Sequence, residues 1–508
     1  MSLGRDVLSL FLAGLFSKLI GVFYRVPLSY LLGAEGIGLY QMAYPAFTLA
    51  AIVAAGGLPL AIAKHVAEHL AVGKDEVAWH VFQVGRLLLW LQGMVLGIAF
   101  YLLAPMIATN VLGDPRSELA LKALAPAVFL LCVEGSLRGY FQGKQNHMVL
   151  AKNQALEQVC RVGTMLVLAF ILVPYGLEYA AGGAAAGATG GALAAVIFLR
   201  VHLQMDRAVK SRSRWQNWYK TASSLKAFAL PVMLGSFVMP VMQMVDAAIV
   251  PLRLQTGGIP MREATALFGQ HAGMALSLVG LPTVATTALA TALVPDLAGA
   301  LARGDNTRVV ERVSQALKLT VALAMPAAVG LHALAEEICH VLFGTPEAAI
   351  PLQWLAFGTV GLCLMETNSS LLHALDQGRW AVVAIFTGGV LNAGIDYHFC
   401  ALPALNIRGA ALGTGLGFTI AALLTLVALS RCVPGFWHPG MLFVPLMVSL
   451  PLAPLVRWFL AFGLSRSWPL AVALFGAIGI GLVFYIFVAQ IIGLIDVRLF
   501  RVSPHKFL

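Results

Sequence analysis

Polar and apolar positions in this chain do not alternate on the scale of a soluble helix or strand. Apolar runs long enough to fill a bilayer follow one another from residue 7 to residue 494, separated by short polar stretches. A helix needs about 20 mostly apolar residues to cross the hydrocarbon core. By that measure the runs near 7–32, 37–63, 79–106, 119–141, 150–173 and 178–201 are spans 1 to 6. Beyond a basic stretch, 224–252, 265–294, 314–335, 348–374, 380–402 and 408–430 are spans 7 to 12. The runs at 439–461 and 468–494 are spans 13 and 14. The expected fold is all-α, a membrane protein of about 14 transmembrane helices, because a helix satisfies its backbone polar groups without water.

The first twelve spans repeat. The stretch from Tyr40 resembles that from Gly269, with Gln41 over Gln270 and Lys74 over Arg303. The stretch from Phe141 resembles that from Asp376, with Gly143 over Gly378 and Lys144 over Arg379. Spans 6 and 12 both carry glycines four apart: Gly183, Gly187 and Gly191 in one, Gly409, Gly413 and Gly417 in the other. Such series let helices approach closely. The expected domains are an N-terminal six-helix lobe (1–205), a basic linker (206–223), a C-terminal six-helix lobe (224–432) and two extra helices with a basic tail (433–508). Six spans per lobe keep both lobes in one orientation, as in transporters that bind substrate between parallel repeats.

Composition agrees with this pattern. Hydrophobic residues make up 59% and charged residues 11%, against roughly 25% charged in a soluble domain. The net charge of +10 sits mostly in alternate loops, above all in the stretch from Arg200 to Lys226. By the positive-inside rule both termini are cytoplasmic. Membrane lipids are then the partner of the basic loops, and nucleic acid is not. Arg5 precedes an apolar run, but Lys18 interrupts it and no small-residue cleavage site closes it, so the segment reads as span 1 rather than a signal peptide. The six cysteines have no metal-ligand spacing and read as small core residues.

A few polar residues inside the spans carry the candidate chemistry. Lys18 and Arg25 lie seven apart on one helix face, about 10 Å from each other. Each costs about 2.5–3.5 kcal/mol at a helix centre, so each faces a cavity, a partner or the interface. A diphosphate suits such a pair, and arginine can hold it bidentately. Glu134 with Arg138, and Glu157 with Arg161, are i,i+4 pairs with the acid first. Mutual neutralisation is the plainer reading, and a cavity lining or gate the sharper one. The repeat sets Arg161 over Asp396 and Glu157 over Asn392, so these join Gln41 and Gln270 as cavity or gate candidates. Asp246 in span 7 and Glu366 in span 10 are intramembrane carboxylates, hence candidates for ion coupling, with a hydrogen bond to a neighbouring helix as the alternative. No metal site and no cofactor are expected. The chain has no phosphate-binding G-x-x-x-x-G-K-[ST] and no G-x-S-x-G, and "GAEGIG" follows no strand. Nothing in it points to an enzyme.

The segments "FLAGLFSKLIGVFYRVPLSYLLGAEGIGLYQMAYPAF", "GGLPLAIAKHVAE" and "RGYFQGKQNHMVLAKNQALEQVCRV" are similar to the stage V sporulation protein B and polysaccharide-transporter family. That family belongs to the multidrug/oligosaccharidyl-lipid/polysaccharide exporter superfamily. The resemblance covers the first half well and rests on span count and spacing in the second. It implies a flippase that moves an undecaprenyl-linked glycan, peptidoglycan precursors among them, across the bacterial inner membrane by alternating access; a monomer is the expected working unit. It also implies that spans 13 and 14 line a groove for the lipid tail. Ser17, Lys18 and Arg25 match the basic first span of the lipid II flippases in this superfamily. The acidic start of span 2 in those flippases and the arginines at its far end have no match here, where Leu39, Tyr40 and "AAIVAAGGLP" stand. That difference favours the sporulation-protein branch. A cation-coupled multidrug exporter and a non-transporting scaffold for envelope synthesis remain as alternatives. The first should have twelve spans and an acidic pocket, and the second needs no polar residues within the bilayer.

Overall fold

The computed structural model describes residues 20, 21, 23–205, 218–437 and 440–493. Among the described residues all regular structure is helical. Eleven helices are long and apolar enough to cross a membrane, or thirteen if each of two bent pairs is one span. These thirteen coincide with spans 2 to 14. Most of span 1, Lys18 included, and part of the basic linker lie outside the described residues.

Spans 2, 7 and 10 are among those that depart from straight helices. The helix Arg25–Ala55 loses helical geometry at Gly33 (φ 62°), so its first two turns end span 1 and the remainder begins span 2. Span 2 was expected to run unbroken to 63. It stops instead at Gly56 and Gly57, both at positive φ, and restarts as Leu58–Ala71. Only glycine takes that conformation cheaply, and a side chain at Gly57 would also stand 2.6 Å from the Ala229 carbonyl of span 7. Span 7 bends by 55° between Trp218–Met233 and Val238–Thr256, and span 10 by 56° between Pro346–Leu355 and Gly358–Ala374. Pro231 and Pro240 flank the first break, where a missing N–H and a ring clash make a kink the low-energy solution. At the second, Gly358 packs on the backbone of Gly415.

The helices pack into two compact units, Met1–Gly269 and Gln270–Leu508. In the first, spans 4, 5 and 6 pack on one another, and Leu58–Ala71 lies against span 4. Both segments of span 7 and the helix Met261–Phe268 also pack on helices of this unit. In the second, span 12 packs on spans 10 and 11, span 9 on spans 8 and 10, and spans 13 and 14 on span 9. Packing therefore divides the chain later than the repeat does.

Backbone geometry fixes the register of the repeat. Three turns recur at one constant shift: Gly73 (φ 68°) with Gly304 (70°), Gly113 (71°) with Gly344 (66°), and Gln145 (57°) with Asp376 (56°). The short helices beginning at Pro115 and Pro346 obey the same shift. This corrects the sequence alignment. Lys74 lies over Asp305 rather than Arg303, Gly143 over Ala374, and Gln41 over Ala272. Arg161 is the counterpart of Asn392, Glu157 of Gly388, and Asp396 of Met165. The alignment from sequence had slipped by one helical turn in span 11, because one apolar turn of a membrane helix resembles the next.

The two glycine series do correspond in order. A methyl at Gly187 would stand 2.7 Å from the Arg161 carbonyl, and one at Gly413 would stand 3.2 Å from the Asn392 carbonyl. Spans 5 and 6 are thus in backbone contact, as are 11 and 12. Overpacking such a contact costs about 1–3 kcal/mol. Gly187→Ala should lower the thermal midpoint of the detergent-purified protein by several degrees. Gly163→Ala, at a span 5 position with nothing within 4 Å, should leave the midpoint unchanged or raise it.

Candidate functional site

The first unit gathers its intramembrane charges into one polar network on spans 1, 2, 4 and 5. Asn153, Glu157 and Arg161 are spaced i,i+4 on span 5 and form a stripe. Arg161 donates to Glu157 Oε1 (2.5 Å) and to the Tyr44 hydroxyl (3.4 Å). The Tyr44 ring packs on Tyr40, centroids 5.6 Å apart, and Tyr40 is hydrogen-bonded to Tyr24. Arg25 is half-buried, with its guanidinium 5.9 Å from the centre of the Tyr24 ring. It lies close enough to Tyr40 and Tyr44 to act on both hydroxyls electrostatically.

Glu134, with 1% of its surface exposed, accepts a hydrogen bond from Asn153 Nδ2 at 3.0 Å. Its own-helix partner Arg138 stands 3.7 Å away and is half exposed. Both predicted i,i+4 pairs are therefore present, and the Asn153 stripe brings them into one cluster. The sequence pattern singled out neither Asn153 nor the three tyrosines. Tyr40 and Tyr44 at i,i+4 beside the basic turn of span 1 were the available signal.

The remaining candidates lie apart from this cluster. Gln41 is half-buried in span 2, and Asp246 is half-buried in span 7 after its bend. In the second unit Glu366 accepts from Thr287 of span 8 at 3.0 Å. Asn368 donates to Thr425 and to the Ala422 carbonyl. Asn392 and Asp396 are buried against Gly413 of span 12, where an added methyl would collide with both side chains. Gln270 is buried in a π-helical turn over Gly269–Ala275. Next to it, buried His271 meets the Thr414 hydroxyl at 3.3 Å.

Spans 8, 9, 13 and 14 border an open apolar cavity of about 650 Å³, lined by Leu319, Leu323, Pro326, Leu452, Leu482 and Tyr485 among others. The Tyr485 hydroxyl donates to the Ala322 carbonyl at 2.7 Å, pinning span 14 to span 9. Arg457 of span 13 pairs with Glu337 at 2.9 Å.

At the end of the first unit assigned outside by the charge bias, the chain makes a clasp that pattern reasoning missed. Gly38 packs on the Thr265 carbonyl, and Gly269 packs on the Ala34 carbonyl. By the backbone register, Gly38 and Gly269 are counterparts, and so are Ala34 and Thr265. The contact is a crossing of repeat-related segments on their glycines. One side of it is locked. Asp114, fully buried, takes two bonds from the Arg116 guanidinium, at 3.0 and 2.7 Å, one from the Arg116 backbone N–H at 3.0 Å and one from Thr265 Oγ1 at 2.7 Å. Arg116 also pairs with Glu35. The counterpart of Arg116 is Glu347, so the same lock does not recur among the described residues of the second half. The signal in sequence was the cap "GDPRS", with Asp before Pro at a helix start.

A helical bundle of this kind, with repeat-related halves and two added spans, is a multi-pass membrane protein. It has the fold of the multidrug/oligosaccharidyl-lipid/polysaccharide superfamily. A solved lipid II flippase MurJ, in an inward closed conformation, aligns over 95% of this chain and 98% of its own, with a TM-score of 0.70 at 15% identity. An inward-facing multidrug resistance MATE family transporter aligns over 82% and 94%, with a TM-score of 0.66 at 17% identity. The family model for polysaccharide biosynthesis proteins matches residues 3–300, and the chain belongs to that family. Stage V sporulation protein B of Bacillus subtilis is 29% identical over 92% of both chains. Lipid II flippase MurJ of the same organism is 24% identical over 84% of this chain and 82% of its own.

Charge-assisted bonds such as those of Arg116 contribute about 1.5–3 kcal/mol each. Arg116→Ala should therefore loosen the clasp. In a cysteine-depleted background, a cysteine replacing buried Ile37 should react with a water-soluble maleimide about tenfold faster or more once Arg116 is removed. An unchanged rate would mean that the glycine crossing holds without the ion pairs.

Proposed function

We propose that this protein is a flippase that moves an undecaprenyl-linked glycan, with a peptidoglycan precursor as the leading candidate, across a bacterial cytoplasmic membrane. The observation that carries the reading is the network around Arg25 and Arg161. Two arginines there share a half-buried polar cluster with three tyrosines and Glu157. A diphosphate carries several negative charges and suits arginine and phenol donors in a low-dielectric site. Lys18, seven residues before Arg25 and outside the described residues, would add a further cation. The apolar cavity beside spans 13 and 14 has the chemistry to hold a polyprenyl tail, while the glycan would occupy a polar path. The names of the two Bacillus relatives support a lipid-linked envelope precursor and a role in sporulation.

Transport would proceed by alternating access, with the Gly38–Gly269 crossing open in one state and closed in the other. Lacking a nucleotide-binding loop, the protein would draw on an ion gradient or the membrane potential, which is worth about 2.3 kcal/mol per charge per 100 mV. Asp246 is the coupling candidate of span 7. Glu366, which accepts from Thr287 at 3.0 Å, is the second and weaker candidate. Both termini would be cytoplasmic and the monomer would be the working unit.

The test is flipping in proteoliposomes of a fluorescent lipid-linked disaccharide-pentapeptide, followed by its protection from an external quencher. Wild-type protein should flip it, and Arg25→Ala, well folded by its elution profile, should lose about tenfold or more of the rate, as expected for one charge-assisted bond. Absence of wild-type flipping would remove this substrate, and efflux of a cationic dye by the same vesicles would favour the multidrug reading.

A further inference from the structure

Glu134 and Asn153 hold the two most deeply buried polar side chains of the cluster, at 1% and 2% exposure. One hydrogen bond joins them, from Asn153 Nδ2 to Glu134 Oε1 at 3.0 Å. The other oxygen of each group, Glu134 Oε2 and Asn153 Oδ1, is buried with no hydrogen-bond partner among the described residues. Both atoms are acceptors. A buried acceptor without a donor loses its hydration and gains nothing in return. The cation nearest the carboxyl, Arg138, sits 3.7 Å from Oε1, not Oε2, and is half exposed.

One added proton resolves both defects. On Oε2 it turns the carboxylate into a donor, and Asn153 Oδ1 is an acceptor on the group already bound to Oε1. Carboxyl and amide then form a closed ring of two hydrogen bonds. We propose that Glu134 and Asn153 are a proton-binding site, with the proton carried on Glu134 Oε2 and donated to Asn153 Oδ1. No covalent bond other than O–H forms or breaks.

The surroundings give the proton a consequence. The charged groups acting on Glu134 are Glu157 and Arg161 of span 5 and Arg138 of its own helix. Leu58–Ala71 meets this part of span 4 with Pro59 on Gly135, and span 3 meets it with Gly93 on the Cys132 thiol. Span 6 meets span 4 further along, with Gly182 on Leu119. Span 2 reaches the cluster through Tyr44, which binds Arg161. With Glu134 neutral, Arg161 has Glu157 as its carboxylate partner. Loss of the proton sets a second negative charge beside the first and changes the field at Arg161, the arginine assigned above to the diphosphate. The consequence for transport rests on that assignment, but proton binding does not.

The test needs no substrate. Infrared difference spectra of the purified full-length protein in nanodiscs, between acid and alkaline buffer, report the C=O stretch of a protonated carboxyl. Wild type should show a band that titrates. Glu134→Gln should lose it and still fold, because a glutamine amide can form the same two-bond ring with Asn153. Asn153→Val should move the band to higher frequency, since Oε1 loses its donor. A band of undiminished intensity in Glu134→Gln overturns the proposal. If that variant does not yield folded protein, an unmoved band in Asn153→Val overturns it instead. Failure of flipping with these spectra intact would count against the proposed substrate only.

Discussion

Helices in lipid gain little from burying apolar side chains against one another, because lipid is as apolar as leucine. What holds them is close packing, and close packing needs small residues at the crossing points. In this protein the glycines of spans 6 and 12 rest on backbone of spans 5 and 11, and Gly135, Gly139 and Gly143 seat span 4 on Leu58–Ala71. Backbone-to-backbone contact tolerates no rotation or slip. It therefore decides which face of span 5 carries Asn153, Glu157 and Arg161 toward spans 2 and 4. The polar cluster is a result of where the glycines are.

Charge within the bilayer imposes the second constraint. An isolated charge is expensive there, so charged groups are pooled and hydrogen-bonded. The first unit pools Arg25, Glu134, Arg138, Glu157 and Arg161 with three tyrosines and an asparagine. By the backbone register the counterpart of Arg161 is Asn392 and that of Glu157 is Gly388. One scaffold, used twice, carries a charged cluster in one half and a mainly polar one in the other. The clasp follows the same logic, because the glycine crossing is symmetric and only one side has Arg116 to lock it. A repeat built this way keeps its packing symmetric and spends its asymmetry on chemistry.

Membership of the polysaccharide biosynthesis family and a fold shared with a flippase and a drug exporter agree with the transport proposed here. They leave the cargo to the chemistry of the site. Basic and phenolic groups around Arg25 favour an anionic headgroup over a cationic drug. An apolar cavity beside spans 13 and 14 favours a cargo with a hydrocarbon tail.

Much of this molecule was legible in the order of its residues. Apolar length alone located spans 2 to 14, because the hydrocarbon thickness sets the length of any helix that crosses it. The glycine series announced where spans 5 and 6, and 11 and 12, would touch. Charge pairs at i,i+4 were readable because helix geometry makes them neighbours on any helix. What the order of residues could not decide was how one helix sits on the next. The break in span 10 lies where Gly358 meets the backbone of Gly415, and that at Gly56–Gly57 joins the positive φ of two glycines to the Ala229 carbonyl beside them. The pairing of Arg161 with Tyr44, of Glu134 with Asn153, and of Arg116 with Glu35 joins residues far apart in the chain. Apolar turns repeat with so little distinction that an alignment can slip by one of them unnoticed. Only the packed structure, through its positive-φ turns and glycine contacts, supplies the register that assigns each charge its partner.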